Sequence, residues 1–248
     1  QGTTSSRSIL FDLNGKKIFS SQYEFKQIFP NLGWVEHDPE EIWRTTLKSV
    51  KDVIKKSNKI KAKIITIGIA NQRETTILWD KNTGKPVYNA IVWQDRRTNK
   101  ICENLKIRKL ENLFRKKTGL FIDPYFSATK IKWILKNISS TKKLLKKNQL
   151  MFGTIDTFLI WRLTNRKSHL TDATNASRTL MYNINSNKWD NEILKKLGIP
   201  KSILPEVRNS ADYFGTTSKK ILGQEIPINA VLGDQQAAAV GQACFQKG

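Results

Sequence analysis

An apolar run at residues 64–69 that stops abruptly in polar residues is the feature that most constrains how this chain folds. The run is rich in β-branched residues and has the length of a strand, so we expect a buried β-strand there. Asn71, Gln72, Arg73 and Glu74 follow it directly. Because ligands of open α/β sheets collect at the carboxyl ends of the strands, this segment is either a salt-bridged surface turn or the floor of a polar pocket.

Three later stretches carry matching chemistry. Trp93 lies near the end of a predicted strand, where it is either a core aromatic or an apolar wall against the carbon side of a ligand. Tyr125 follows a proline at a predicted helix start, either as a packed ring or as a hydroxyl that points into a cleft. Asp234 and Gln235 follow a predicted strand at 228–232 and open a helix of small residues, which puts an acid beside a helix N-terminus.

The start of the chain predicts a β-hairpin. Strands are expected at residues 8–12 and 17–21, joined by an Asn-Gly turn. The segment at its mouth offers hydroxyls, backbone N–H groups and a fixed positive charge, which suit either a phosphate cradle or an ordinary polar turn. The side chains concerned are those of Thr3, Thr4, Ser5 and Arg7.

Between these points helices and strands alternate. Asp38 and Pro39 predict a helix start, and the lone His37 before them is interpreted as a hydrogen-bonded structural residue. The other predicted elements are strands at 75–80 and 90–94, a mostly helical region at 98–161, a polar turn at 171–178 and a short helix at 190–197 closed by Gly198. Together they indicate an α/β fold with a mixed sheet and helices on its faces.

Length, cysteine content and net charge limit the classes of protein to which the chain can belong. A length of 248 residues allows one large or two small domains, and no apolar segment is long enough to span a bilayer. Cys102 and Cys244 lie far apart without metal-ligand spacing, which fits a reducing compartment. The net charge of +22 leaves a basic nucleic-acid-binding module as an alternative, but the lysines are scattered and no nucleic-acid-binding motif accompanies them.

Six short motifs in order along the chain resemble the glycerol kinases of the FGGY family of carbohydrate kinases. Each motif alone is weak, whereas the ordered set spans the chain and is specific. The motifs are Gln-Gly-Thr-Thr-Ser-Ser-Arg at Gln1, Gly-Trp-Val-Glu-His-Asp-Pro at Gly33, Asn-Gln-Arg-Glu-Thr-Thr at Asn71, Trp-Gln-x-Arg-Arg at Trp93, Asp-Pro-Tyr-Phe-Ser at Asp123 and Gly-Asp-Gln-Gln-Ala-Ala at Gly233.

The resemblance implies an actin- and hexokinase-like (ribonuclease H-like) α/β domain and a role for each strand-end group. Asp234 would be the general base in ATP-dependent phosphorylation of glycerol and a ligand of Mg²⁺. The hairpin mouth would face the transferring phosphate. The positions that match glycerol contacts are Arg73, Glu74, Trp93, Tyr125, Asp234 and Gln235.

The resemblance also implies parts that the chain does not contain. The chain lacks an initial methionine and the acid that the family carries before Gln1, so residues 1–248 are interpreted as a substrate-binding domain with an incomplete first strand and without the nucleotide-binding domain. The chain alone is therefore expected to be inactive. The longer protein is expected in the cytoplasm, with glycerol and ATP as partners and no specific nucleic acid or membrane, and a homo-oligomer is left open. The alternatives are a kinase of another polyol or a ketose, and a domain that binds a ligand without catalysis.

Overall fold

The computed structural model of the chain describes residues 1–246; Lys247 and Gly248, the last residues of the expected domain, lie outside the described part. Twelve strands and ten α-helices alternate along those residues. The strands are β1 Ser5–Phe11, β2 Lys17–Glu24, β3 Glu36–His37, β4 Ile67–Asn71, β5 Ile77–Asp80, β6 Ala90–Ile91, β7 Leu150–Gly153, β8 Leu170–Asp172, β9 Tyr182–Asn183, β10 Lys188–Trp189, β11 Glu206–Arg208 and β12 Ile228–Gly233. The helices are α1 Pro39–Lys59, α2 Asn99–Ile107, α3 Glu111–Thr118, α4 Ser127–Asn137, α5 Ser140–Lys146, α6 Ile155–Leu163, α7 Ala173–Ala176, α8 Asn191–Leu197, α9 Lys219–Leu222 and α10 Asp234–Gly241.

Strand pairing is mixed, as the sequence predicts. β4 pairs in parallel with β12, and β8 in parallel with β11. The pairs β1–β2, β3–β6, β5–β7 and β9–β10 are antiparallel. The predicted strands at 75–80 and 90–94 are present in shorter form as β5 and β6. The carboxyl ends of β4 and β12 therefore lie side by side.

The predicted hairpin and first helix are confirmed, and pairs of hydroxyl groups connect them. Asp38 caps α1 by accepting a hydrogen bond from the backbone N–H of Glu40. The Ser6 hydroxyl lies 2.9 Å from that of Thr45, and the Ser8 hydroxyl lies 2.7 Å from that of Ser49. Polar contacts of this kind hold the hairpin in one register on α1 because an unpaired hydroxyl would be costly in the contact.

The prediction of a buried strand at residues 64–69 is wrong in two respects. β4 begins at Ile67 and continues to Asn71. Its burial alternates, since Ile67 and Ile69 pack on an apolar cluster beneath the strand while Gly68 and Ala70 are exposed. A strand covered on one face only shows this alternation. The alternation of burial is hard to recognise in the sequence, because the exposed positions carry glycine and alanine and not polar residues.

The polar turn predicted at residues 171–178 is also wrong. The segment comprises the end of β8, the short helix α7 and a 3-10 turn at Ser177–Thr179. Asp172 caps α7 by accepting hydrogen bonds from the backbone N–H groups of Thr174 and Asn175. Four residues give no apolar periodicity, so this helix has no signal in the pattern on which the prediction depends.

The core lies on both sides of β5 and β7. Trp79, Phe158 and Trp161 are almost completely buried, and the Trp79 ring meets the two others at centroid distances of 5.4 and 5.6 Å. Nearly all of α6 is buried. No helix within residues 1–246 combines the length and the apolar character that a membrane-spanning helix requires.

A cluster that we call the buried polar network lies behind the ends of β4 and β8. It consists of Asn71, Asp156, Asp172, Thr174 and Asn175. The Asn71 amide bridges the carboxylate of Asp156 and the amide oxygen of Asn175, and the Asn175 amide nitrogen in turn donates to Asp172 at 2.8 Å. Burial, and next the nearby Asp172, raise the pKa of Asp156 to about 6. The network fixes three segments that are distant in sequence.

His37 in β3 is fully buried and uses both ring nitrogens. Its Nε2 lies 2.7 Å from the Gln27 amide oxygen, so this nitrogen carries the proton, and Nδ1 faces the Gln72 amide at 3.5 Å. The ring also meets Phe25 edge to face at 5.0 Å. Burial lowers the pKa of His37 to about 4. These contacts agree with a structural role.

This depressed pKa predicts a pH-dependent contribution to stability. In the unfolded chain the His37 imidazole binds a proton below about pH 6.5, whereas in the folded chain it does so only near pH 4. Its contribution to the free energy of unfolding, at most about 3 kcal/mol, is present above pH 6.5 and lost as the pH falls through 4. The His37→Phe variant, which cannot titrate, should show a shallower loss of stability over this range in denaturant titrations. Equal slopes for variant and wild type would contradict the prediction.

Candidate active site

The turn after β4 sends two neighbouring charged side chains in different directions. Glu74 has a φ of +59°, a left-handed conformation that is uncommon for a residue with a side chain and is often found at functional sites. The backbone N–H of Thr75 donates to the carbonyl of Arg73 at 2.6 Å, which tightens the turn. Arg73 points toward the end of β12, and the Glu74 side chain points toward Arg178 in the 3-10 turn.

Arg73 joins the ends of β4 and β12. Its Nε lies 3.2 Å from Oδ1 of Asp234, and its Nη1 donates to the Gln236 amide oxygen at 3.2 Å. The Arg73 side chain is 4% exposed and that of Asp234 is 55% exposed. Asp234 stands in the first turn of α10, where the helix N-terminus favours negative charge. The pair therefore presents one accessible carboxylate beside a buried guanidinium.

Gly233 makes this approach possible. An added Cβ would lie 2.3 Å from Cδ of Arg73, although the φ of −60° would suit any residue. The glycine is thus required for space and not for backbone conformation. Its N–H donates to the Thr174 hydroxyl at 2.8 Å, and that hydroxyl donates to Asp172 at 2.6 Å. The buried polar network therefore holds the residue that precedes Asp234.

Glu74 is almost fully buried and is paired with a residue that the sequence analysis did not select. Its Oε1 accepts a hydrogen bond from Nε of Arg178 at 2.7 Å. Burial raises the pKa of Glu74, and the hydrogen bond and charge of Arg178 oppose that rise. Its backbone carbonyl accepts from the Ser127 hydroxyl at 2.9 Å, which ties the turn to α4.

Tyr125 and Trp93 form the aromatic side of the site. Their ring centroids are 5.5 Å apart, and the Trp93 indole N–H donates to the Thr3 hydroxyl at 3.1 Å. Burial, and then the charge of Glu74, raise the pKa of the Tyr125 phenol. The buried ammonium of Lys130 donates to the carbonyls of Pro124 and Tyr125 at 2.7 and 2.5 Å, and burial lowers its pKa to about 7.

The structure brings six of the predicted residues into a connected set and leaves four outside it. The connected residues are Thr3, Arg73, Glu74, Trp93, Tyr125 and Asp234. The others are Thr4, Ser5, Arg7 and Gln235, whose side chains make no hydrogen bond to a connected residue within the described chain. Thr4, Arg7 and Gln235 are exposed, and the Ser5 hydroxyl accepts from Gln22 in the hairpin.

Sequence reasoning missed Arg178, Gln236 and Thr174. Arg178 and Thr174 lie in the segment that was interpreted as a polar turn, where nothing local distinguishes a site residue. Gln236 stands next to the predicted Gln235, and only the direction of the first turn of α10 decides which of the two reaches Arg73. The one available signal was the run of polar residues that starts at Asp172.

The arrangement suits a small ligand with several hydroxyl groups. Arg73 supplies donors, Glu74 supplies an acceptor, and Trp93 offers an apolar face. For a metal ion, residues 1–246 contain no group of three or more acidic, histidine or cysteine side chains placed around one point. Asp234 is nevertheless an exposed carboxylate, which fits Mg²⁺ because that ion is commonly held by one or two carboxylates together with phosphate oxygens.

Gly233→Ala should displace Arg73 and break its ion pair with Asp234. Overpacking of this kind costs about 1–3 kcal/mol of stability. A lower thermal unfolding midpoint, and a crystal structure with the Arg73 side chain moved away from Asp234, would check this. Gly241→Ala, at the other end of α10, is the control, because an added Cβ there meets nothing within 4 Å. A Gly233→Ala protein with unchanged stability and an intact ion pair would contradict the steric argument.

Comparison with known proteins supplies the family. The N-terminal domain of the FGGY family of carbohydrate kinases matches residues 1–241. A glycerol kinase from Petrotoga mobilis is 56% identical over the whole chain, which covers 50% of that relative. A glycerol kinase structure from Plasmodium falciparum, solved with ADP, superposes with a TM-score of 0.95 at 38% identity over 100% of this chain and 50% of that one.

A ligand-bound xylulose kinase from Lactobacillus acidophilus superposes with a TM-score of 0.85 at 27% identity over 97% of this chain and 48% of that one. These likenesses confirm the expected actin- and hexokinase-like α/β fold. The chain spans about half the length of the curated relatives it matches. On the family match, the identities over the full chain and the fold, the chain belongs to the FGGY family of carbohydrate kinases.

Proposed function

We propose that this chain is the glycerol-binding part of an ATP-dependent kinase that converts glycerol to sn-glycerol 3-phosphate. The observation that carries the proposal is the meeting of two charged pairs, Arg73 with Asp234 and Glu74 with Arg178, beside Tyr125 at the strand ends. The glycerol kinase relatives from Petrotoga mobilis and Plasmodium falciparum support it.

Recognition of glycerol would depend on paired hydrogen bonds. A three-carbon polyol has little apolar area, so discrimination must come from polar groups that would be left unpaired by a wrong ligand. Arg73 and Gln235 would donate to hydroxyl oxygens, Glu74 would accept from a hydroxyl, and Tyr125 can do either. Trp93 would cover the carbon side.

Asp234 would act as the general base. Its exposed carboxylate would take the proton from the attacking glycerol hydroxyl while that oxygen forms a bond to the γ-phosphorus and the bond from that phosphorus to ADP breaks. Asp234 would also hold Mg²⁺, which when bound neutralises charge on the phosphates. The hairpin mouth would face the transferring group, with donors from Thr3, Thr4, Ser5 and Arg7.

The proposal also covers the domain organisation and the location of the longer protein. Residues 1–248 would form the substrate domain of the longer protein, and the adenine of ATP would bind in a second domain outside this chain. The share of the relatives that the chain covers supports this division. A cytoplasmic location is supported by Cys102 and Cys244, both of which are free thiols.

A second candidate is a kinase of a ketose or a longer sugar acid. It is favoured by the likeness to the xylulose kinase and to a gluconate kinase from Lactobacillus acidophilus at 27% identity. The pairing of Arg73 and Glu74 with Tyr125 favours glycerol over these substrates.

Asp234→Asn in the full-length protein should lower kcat for ATP-dependent glycerol phosphorylation by about 10²- to 10⁴-fold, because the amide cannot accept the hydroxyl proton. ADP release in a coupled assay gives the rate, and isothermal titration of glycerol shows whether binding persists. Asp12→Asn is the control. That carboxylate sits in the hairpin turn, where asparagine can still accept the hydrogen bonds from the N–H groups of Asn14 and Lys16. Unchanged turnover in the Asp234→Asn enzyme would remove Asp234 from the base role.

A substrate panel separates the two candidate functions. With glycerol, xylulose and gluconate at matched concentrations, kcat/KM of the full-length wild type should be highest for glycerol. A higher value for either longer substrate would contradict the glycerol assignment and favour the second candidate.

A further inference from the structure

Arg178 lies at a rigid point of the chain next to the site. It belongs to the 3-10 turn that continues α7, whose first turn is capped by Asp172 of the buried polar network. The Thr179 hydroxyl donates to the carbonyl of Ala176 at 2.7 Å, and Leu180 leaves the turn with a φ of +65°. The backbone that carries Arg178 is therefore held from both sides.

The guanidinium of Arg178 compensates the buried charge of Glu74. The Glu74 side chain is 2% exposed and that of Arg178 is 27% exposed, with 2.7 Å between Nε and Oε1. A carboxylate this deeply buried is unfavourable without a charged partner. Arg73 and Lys130 also favour the ionised form, but after Arg178.

The same guanidinium also touches the aromatic side of the site. Its central carbon lies 5.6 Å from the ring centroid of Tyr125 and 5.0 Å from that of Phe126, within cation–π range. Its two Nη groups donate no hydrogen bond to any residue in the described part of the chain. One side chain thus contacts Glu74, from the turn after β4, and Tyr125, from the start of α4.

We propose that Arg178 is a positioning and specificity residue, which keeps Glu74 a pure hydrogen-bond acceptor and fixes the Tyr125 ring against it, so that the two groups match neighbouring hydroxyls of a small polyol. The inference rests on the proposed function for its substrate. A protonated Glu74 would itself be a hydrogen-bond donor. The ligand hydroxyl that faces Glu74 also has to donate, so the two groups could no longer form that hydrogen bond. Arg178 acts through these two residues and needs no contact with the transferring phosphate.

The kinetic test uses the full-length protein with Arg178→Gln. KM for glycerol should rise about 10- to 100-fold, the range expected for a lost charge-assisted hydrogen bond, while kcat at alkaline pH changes little. Without Arg178 the pKa of Glu74 rises further, because the remaining charged neighbours, Arg73 and Lys130, compensate burial less. As the pH is lowered, the variant should consequently lose its affinity for glycerol at a higher pH than the wild type does.

Three further variants separate this role from a general loss of structure. Arg178→Lys keeps the positive charge and should recover part of the KM and most of the pH profile. Combining Arg178→Gln with Glu74→Gln should abolish the difference in acid limb between the Arg178→Gln variant and the wild type, since position 74 then has no carboxyl to titrate. Arg208→Gln is the matched control, because Arg208 pairs with Glu206 through the same atoms at 3.1 Å in β11 and should leave KM unchanged.

Failure of the inference can be told apart from failure of the proposed function. A wild type that phosphorylates glycerol, with an Arg178→Gln variant of unchanged KM and pH profile, would overturn the role of Arg178 alone. A wild type inactive on glycerol would contradict the proposed function. In that case the carboxyl pKa of Glu74, measured by ¹³C NMR of glutamate-labelled protein, tests the role of Arg178. The Glu74→Gln variant assigns the signal. A higher carboxyl pKa in the Arg178→Gln variant supports it, and an unchanged pKa rejects it.

Discussion

Two carboxylates buried side by side, Asp156 and Asp172, impose the constraint on which the rest of the site depends. Each must receive enough hydrogen bonds to offset the loss of water, and the donors come from several segments. Thr154 and Thr171 donate to Asp156 at 2.5 and 2.6 Å, and Ser210 donates to Asp172 at 2.7 Å. The ends of β4, β8 and β12 are consequently tied to one another before any ligand is considered.

The candidate site is arranged around this fixed point. Asn71 is the last residue of β4 and belongs to the network, so the turn that carries Arg73 and Glu74 starts from a fixed position. Gly233 is held through Thr174. The side chains of Arg73, Glu74 and Asp234 therefore all extend from backbone that the network holds in place. The site needs little rearrangement to present a carboxylate beside a guanidinium, which is the kind of preorganisation that electrostatic catalysis requires.

Local rules were sufficient for the elements with strong signals. The hairpin with its Asn-Gly turn and the capped start of α1 are encoded in a few adjacent residues, so they could be predicted. The sequence also predicted that Arg73 and Asp234 lie at strand ends. It did not predict which strands are neighbours, and the parallel pairing of β4 with β12 is what brings the two residues together.

Other features depend on contacts between distant segments, and no local pattern contains them. Glu74, which has a left-handed backbone conformation, is paired with Arg178, and Arg178 lies 104 residues away in sequence. The half-exposed face of β4 was hidden because isoleucine, a typical buried residue, occupies the covered positions while glycine and alanine occupy the open ones. The short helix α7 is stabilised by its cap and by the buried polar network, so its sequence alone looks like a turn.

The pairing of charges at the site has a consequence for how the protein responds to salt. The chain carries a formal net charge of +22, yet Arg73 with Asp234 and Glu74 with Arg178 each sum to zero. Fields from such pairs decay quickly, and the buried partners are weakly screened, whereas the field of scattered surface lysines is screened over about 8 Å at physiological ionic strength. An uncharged ligand would therefore meet nearly the same site in dilute and concentrated salt. An anionic nucleotide approaching the same surface would be drawn in by the surplus positive charge, and only that attraction would fade as salt is added.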